Sequence, residues 1–167
     1  MNHNELMADV LRRNLETLTF HLADFTDADM VVRPVAGANH VAWQVGHLAA
    51  SEPRLLGMLD PAAGAKAEAL LPGGFAGKFT RETAALDDPA AFPTKDEILA
   101  ALAAVRGASV EWVRSLAPDQ LTRPAPENIR GFIPTFDHFA TSIADHVMMH
   151  VGQIQVVRRK LGKPVLF

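Results

Sequence analysis

Cysteine is absent from the 167-residue sequence. Disulfides, thiolate metal ligands and a protein thiol nucleophile are therefore excluded together, and histidine is left as the only soft nitrogen ligand. Any thiol chemistry must use a thiol brought in from outside. A surplus of positive charge is missing as well: 16 Lys and Arg against 19 Asp and Glu leave a formal net charge of -3. The basic residues are scattered rather than massed, so no field exists to hold nucleic acid. No uncharged run approaches the roughly 18 residues that a membrane span needs. The N-terminal MNHNELMADVLRR lacks a basic stretch followed by an apolar core. The expectation is a soluble, cytoplasmic chain with neither nucleic acid nor membrane as partner.

What is present suits one compact domain over residues 1–167, since a chain of this length that is 49% hydrophobic and 21% charged can bury a real core. Helical periodicity dominates. From Asn4 to Phe25 the apolar residues Leu11, Leu15, Leu18, Leu22 and Phe25 recur at steps of four and three, which predicts a first amphipathic helix. His21 within it reads as a partly exposed helix histidine with no role. Pro34 and Gly37 break the pattern, and Asn39 is placed to cap a second helix over His40 to Leu59, with a kink or an early end at Pro53. Residues 60–93 hold most of the loop-forming composition. A connection this long can run the length of a bundle, so the helices on either side need not be antiparallel. Phe75 and Phe79 are placed to pin it down.

The third helix opens with a capping box, Thr94 as N-cap and Glu97 three residues on, and ends before Pro118. Thr135 is placed to cap a fourth, longest helix reaching about Leu161, where Arg158, Arg159 and Lys160 suit the negative dipole end and Gly162 and Pro164 follow. Ahead of the second helix stands DADMVVRP, and ahead of the fourth PDQLTRP. Each sets an acidic residue before an Arg-Pro pair, which hints at two related helix pairs.

Chemistry concentrates in histidines. His146 and His150 lie four residues apart in DHVMMHVGQIQVVRRKLGKP, a spacing that stacks both imidazoles on one helix face, where both can point at one divalent ion. Two neutral imidazoles make a weak site, so a third ligand is required. His47, in NHVAWQVGHLAASE, is the best candidate. His40 and His138 rank lower, because both fall near helix starts. Gly46 and Gly152 beside candidate ligands suggest close helix approach. Met148 and Met149 read as packing or solvent-facing residues. Glu52, Asp145, Gln44 and Gln153 are placed to hold a ligating histidine or touch a substrate, or equally to be ordinary helix surface, and Arg33 and Arg123 are candidate binders of an acidic substrate.

The stretch GANHVAWQVGHLAASEPRLLG with His47, followed about a hundred residues later by DHVMMHVGQI with His146 and His150, resembles the DinB-like family of damage-inducible, metal-dependent proteins. The resemblance implies an all-α, four-helix bundle of up-down-down-up topology. It also implies a three-histidine site for nickel, zinc or a similar divalent ion, carried over as His47, His146 and His150. Members of the family include thiol-dependent transferases and isomerases that use mycothiol or bacillithiol, so a low-molecular-weight thiol is a candidate cofactor. The expected function is a metal-dependent transferase, isomerase or hydrolase acting on a small molecule, with an open coordination position facing a pocket roofed by Gly73 to Phe79. The competing reading is a non-catalytic binding or dimerisation module with a structural metal or none. A homodimer through helix faces is expected under either.

Overall fold

Four long helices form the body of the molecule, and hydrogen bonds between them fix their directions. The computed structural model describes residues 2–166, and among these no strand occurs beyond an isolated bridge between Pro124 and Thr135. Helix α1 spans His3–Leu22, capped by the Asn2 side chain, and α2 is a single turn, Asp27–Met30, closed by a Thr26/Asp29 capping box. Helix α3 runs Val41–Leu59 and α4 Pro61–Glu68. Helix α5 is Lys95–Ser115, opened by the expected Thr94/Glu97 box, α6 is the short turn Pro118–Leu121, and α7 is His138–Lys160. Asn4 on α1 reaches the carbonyl of Val113 on α5, whereas Arg106 lower on α5 reaches that of Leu11. These two helices are antiparallel. Asn14 bonds to the carbonyl of Ala144, and Arg158 donates to that of His21, so α1 and α7 are parallel. Glu52 pairs with Arg106 and Asp60 accepts from Trp112 Nε1, so α3 and α5 are parallel too. The order is up-down-down-up, as the resemblance implied.

Several boundaries differ from expectation for local reasons. His40, not Asn39, caps α3: its Nδ1 accepts the Trp43 N–H at 3.1 Å while the ring stays buried. Pro53 neither ends nor shortens the helix, which continues to Leu59. Asp137 occupies the cap position of α7, and Thr135 instead bonds to the Asp137 carboxylate and to His138 Nδ1. Helix α7 ends as expected, with Gly162 at φ 67° and the Lys163 N–H returning to the Arg158 carbonyl at 2.9 Å, a Schellman closure that needs a left-handed residue. The 60–93 connection is not a bare loop. It begins with α4, whose Gly64 lies so close to Gly57 of α3 that a side-chain carbon there would meet backbone, and continues through three short 3-10 turns.

Burial falls into two apolar clusters. One gathers Leu18, Leu22, Val45, Leu48, Leu102, Val105, Val151 and Ile154 with Phe75, Phe79 and Phe92 from the connection. The other gathers Met7, Leu11, Leu56, Trp112, Phe136, Phe139 and Ile143. Between them, at the waist of the bundle, each of three helices contributes polar groups: Asn14 on α1, Glu52 on α3, and Arg106 and Ser109 on α5, all buried. Arg106 grips Glu52 through Nε at 2.8 Å and Nη2 at 2.9 Å. A buried charge pair survives desolvation only when geometry is good and spare donors are met, and the third nitrogen, Nη1, donates to the Leu11 carbonyl at 2.7 Å.

Candidate metal centre

Next to this waist, α3 and α7 run antiparallel and set three imidazoles against one another. His47 comes from α3, and His146 and His150 from successive turns of α7, the stacking that an i, i+4 pair requires. Ring centroids are 5.2 Å apart for His47 and His146, 5.9 Å for His47 and His150, and 5.0 Å for His146 and His150. One nitrogen from each ring lies within 4.8 Å of the others. An ion with bonds of about 2.1 Å holds its donors roughly 3.0 to 4.2 Å apart, depending on bond angle, so only a small drawing-in separates the three rings from a coordination set.

The protonation states suit ligation. All three histidines are held below the ordinary imidazole value, first of all by burial; for His47 the positive charges of His146 and Arg54 add to the effect. His150 is driven to about 4. Near neutral pH the rings are uncharged, the form that binds metal.

His150 carries the sharpest signal. Its Nδ1 lies 3.0 Å from Gln44 Oε1, and the same amide donates through Nε2 to the Asn39 carbonyl at 2.7 Å. Because the amide nitrogen is committed to a carbonyl, the oxygen must face the ring, so Nδ1 bears the hydrogen and Nε2 the lone pair. That Nε2 is buried and has no hydrogen-bond partner among the described residues. Buried polar atoms are rarely left so, and an unmet one calls for an ion or a water. The donor set and the orphaned nitrogen together fit a metal of the kind that binds imidazole. His47 is fixed differently: Trp43, one turn earlier, stacks on it at 4.9 Å with planes 5° apart, and is itself tied to the connection by Nε1 donating to the Thr80 carbonyl.

A cavity of about 470 Å³ opens on His47 and His146 and runs along α3 through Ser51, Arg54 and Leu55, with Ser142, Asp145 and Met149 of α7 opposite and Phe132 at one side. Phe132, in the segment before α7, is the one lining residue from outside these two helices. The expected roof of Gly73 to Phe79 is not part of the lining, because Phe75 and Phe79 are drawn into the core instead. Gly46 explains part of this: a Cβ there would collide with the Phe79 ring, so the glycine admits the connection rather than a neighbouring helix. Gly152 faces open space and brings nothing close.

The lesser candidates sort by their partners. His40 spends both nitrogens, on the Trp43 N–H and the Leu86 carbonyl, and His138 is exposed beside Thr135 and Asp137; neither joins the cluster. His21 is buried rather than partly exposed, with Nδ1 at 2.7 Å from the Thr17 carbonyl. Arg33 binds structure, not substrate: it bridges Ala38, Ala84 and Asp87 and so clasps the connection. Arg123 lies over the Phe136 ring. Gln44 and Glu52 are buried and engaged rather than ordinary surface, Gln153 is exposed, and Met148 and Met149 face solvent. Sequence reasoning missed Trp43, Ser51, Arg54 and Ser142. Helical spacing from the histidines could have found them, since they stand four or seven residues from His47 or four from His146 on the same faces.

A family model for the DinB superfamily matches residues 10–154. The chain belongs to the DinB superfamily. Two solved structures share this DinB fold. A conserved protein from Enterococcus faecalis is 21% identical, with a TM-score of 0.69 over 98% of this chain and 99% of that one. YfiT from Bacillus subtilis, described as a probable metal-dependent hydrolase with an unusual four-helix bundle topology, is 20% identical, with a TM-score of 0.62 over 96% of this chain and 89% of that one. No curated protein matches the chain. Identities this low speak for the DinB architecture, while the chemistry has to be argued from the residues just described.

Proposed function

We propose that this chain is a metal-dependent enzyme acting on a small molecule, with His47, His146 and His150 as ligands of one divalent ion, nickel or zinc. The observation that carries this is the buried Nε2 of His150, without a hydrogen-bond partner among the described residues, whose ring is held by Gln44 and gathered with two further imidazoles. When bound, such an ion polarises a carbonyl or brings a water or an incoming thiol into its deprotonated form near neutral pH. Around it the protein supplies orientation and exclusion of water. Gln44 holds the His150 tautomer, Trp43 fixes the plane of His47, and the apolar sides of Leu55, Phe132 and Met149 line the approach. The cavity supports an enzyme over a structural site, because a structural ion is closed off by four protein ligands, whereas here two of the three histidines, His47 and His146, line an open cavity. The description of YfiT as a probable hydrolase favours water as the nucleophile; the absence of cysteine means that a thiol would arrive as a free small molecule.

Elemental analysis of protein purified without a polyhistidine tag tests the reading. About one divalent ion per chain is expected, falling to a small fraction in folded His47→Ala, His146→Ala and His150→Ala variants. Full metal content in those variants would remove the ligand assignment.

A further inference from the structure

The cavity beside the histidines holds one cation without a partner. Arg54 lines it from α3, yet makes no hydrogen bond or ion pair with any described residue. Asp145 lines the same cavity, but the two side chains do not pair. The remaining wall near Arg54 is Leu55 on its own helix and Phe132 and Met149 across the gap, with the Ser142 hydroxyl also unengaged. Arg33, Arg106 and Arg158 each hold a carboxylate and at least one carbonyl, whereas Arg54, exposed at the cavity wall, is left available to a ligand. Its planar fork matches a carboxylate, which can accept two parallel N–H bonds. Arg54 follows His47 by two helical turns, which sets it about 10 Å along the α3 axis.

We propose that the cavity takes a small monocarboxylate with an apolar body, its carboxylate held by Arg54 with Ser142 and its uncharged end presented to His47 and His146. The inference rests on the cavity described above, and it names the substrate class for the proposed enzyme. Asp145, beside His146, repels a second carboxylate from that part of the wall and so disfavours dianions. Leu55, Phe132 and Met149 bury the body between the two ends.

The probes are 4-phenylbutyrate and its neutral amide, 4-phenylbutyramide, titrated by ligand-observed NMR into chelator-treated protein and, separately, into nickel-loaded protein. The acid is expected to bind metal-free protein, with at least a tenfold loss in Arg54→Gln, partial retention in Arg54→Lys and no change in Arg159→Gln, an exposed arginine outside the cavity. The amide is expected to bind the native protein no better than the acid binds Arg54→Gln. Equal affinity for acid and amide, an Arg54→Gln variant that binds the acid like the native chain, or no binding up to about 10 mM would each overturn the proposal. Binding that needs nickel and ignores Arg54 would overturn it as well, because the ion would then be the anion site. Metal content measured on the same Arg54→Gln sample is expected to be unchanged, so loss of the carboxylate site and loss of the metal site are read separately.

Discussion

Replacing Gln44 by leucine is expected to weaken metal binding by 10- to 100-fold while leaving all three ligands in place. In the native chain the Gln44 amide is buried between two fixed points, donating to the Asn39 carbonyl at 2.7 Å and accepting from His150 Nδ1 at 3.0 Å. Leucine fills similar volume but neither accepts nor donates. The ring then loses what fixes its tautomer and plane, and its Nδ1–H is left unmet. Loss of such a partner behind a ligating histidine typically costs 10- to 100-fold in affinity, or about 1.4 to 2.7 kcal/mol. The exposed end of the change lies at Asn39, whose carbonyl loses a donor, so a fall in stability of about 1 to 3 kcal/mol is expected alongside. The assay is competition for zinc and for nickel against a chromophoric chelator, run well below the variant's melting temperature. Gln44→Glu separates the two effects: it keeps an acceptor for His150 but removes the donor to Asn39, so it should retain affinity better than Gln44→Leu while losing stability. Native affinity in a folded Gln44→Leu protein would refute the view that this amide orients the ligand.

Two further outcomes follow from buried charge. Arg106→Met leaves the Glu52 carboxylate unpaired at the waist of the bundle, and should cost about 3 to 5 kcal/mol in urea unfolding at unchanged slope; adding Glu52→Leu to it should restore most of that, since no charge is then stranded. Metal-free protein should lose stability as the pH falls from about 6.5 to about 4. The folded-state value of His150 is held near 4 by burial and by its two histidine neighbours, so the unfolded chain takes up the proton first; stability is full above the unfolded value of about 6.5 and falls by about 3 kcal/mol for His150 by the lower end of that window. His47 and His146, held down in the same direction, act with the same sign. A flat melting temperature across that range in chelator would contradict the burial of these rings.

The bundle was legible because its signals are local. Apolar spacing marked the four long helices, the Thr94/Glu97 box marked the start of α5, and Gly162 marked the end of α7, all of which the structure bears out. Caps made by unusual residues were not legible: the position of His40 near a helix start ranked it below His47 as a ligand, but nothing in the sequence showed that it accepts a backbone N–H as a serine would. The histidine cluster was half legible. The i, i+4 pair is a property of one helix, whereas its meeting with His47 depends on which helices become neighbours. Gln44 could be named but not promoted, since its value lies in an Asn39 carbonyl on the far side that no pattern announces. The pocket's cover was misplaced because aromatic residues in a glycine-rich connection serve equally to close a cavity or to fill a core. The space left by Gly46 decides for the core.

That same space ties the topology to the site. Helices α3 and α5 are consecutive long helices yet run parallel, so residues 60–94 must return the chain over the full bundle length, and they pass the start of α3. There Arg33 clasps Ala84 and Asp87, Phe79 packs against Gly46, and the Thr80 carbonyl takes the Trp43 indole proton. Trp43 in turn stacks on His47. The connection therefore does not cover the cavity; it braces one ligand from behind, while the opposite face of that ligand stays open to the pocket with Arg54. A crossover that first appears as the unavoidable consequence of parallel packing thus sets the plane of an imidazole, and the α7 pair, with His150 held by Gln44 from the same turn of α3, completes the set from the other side.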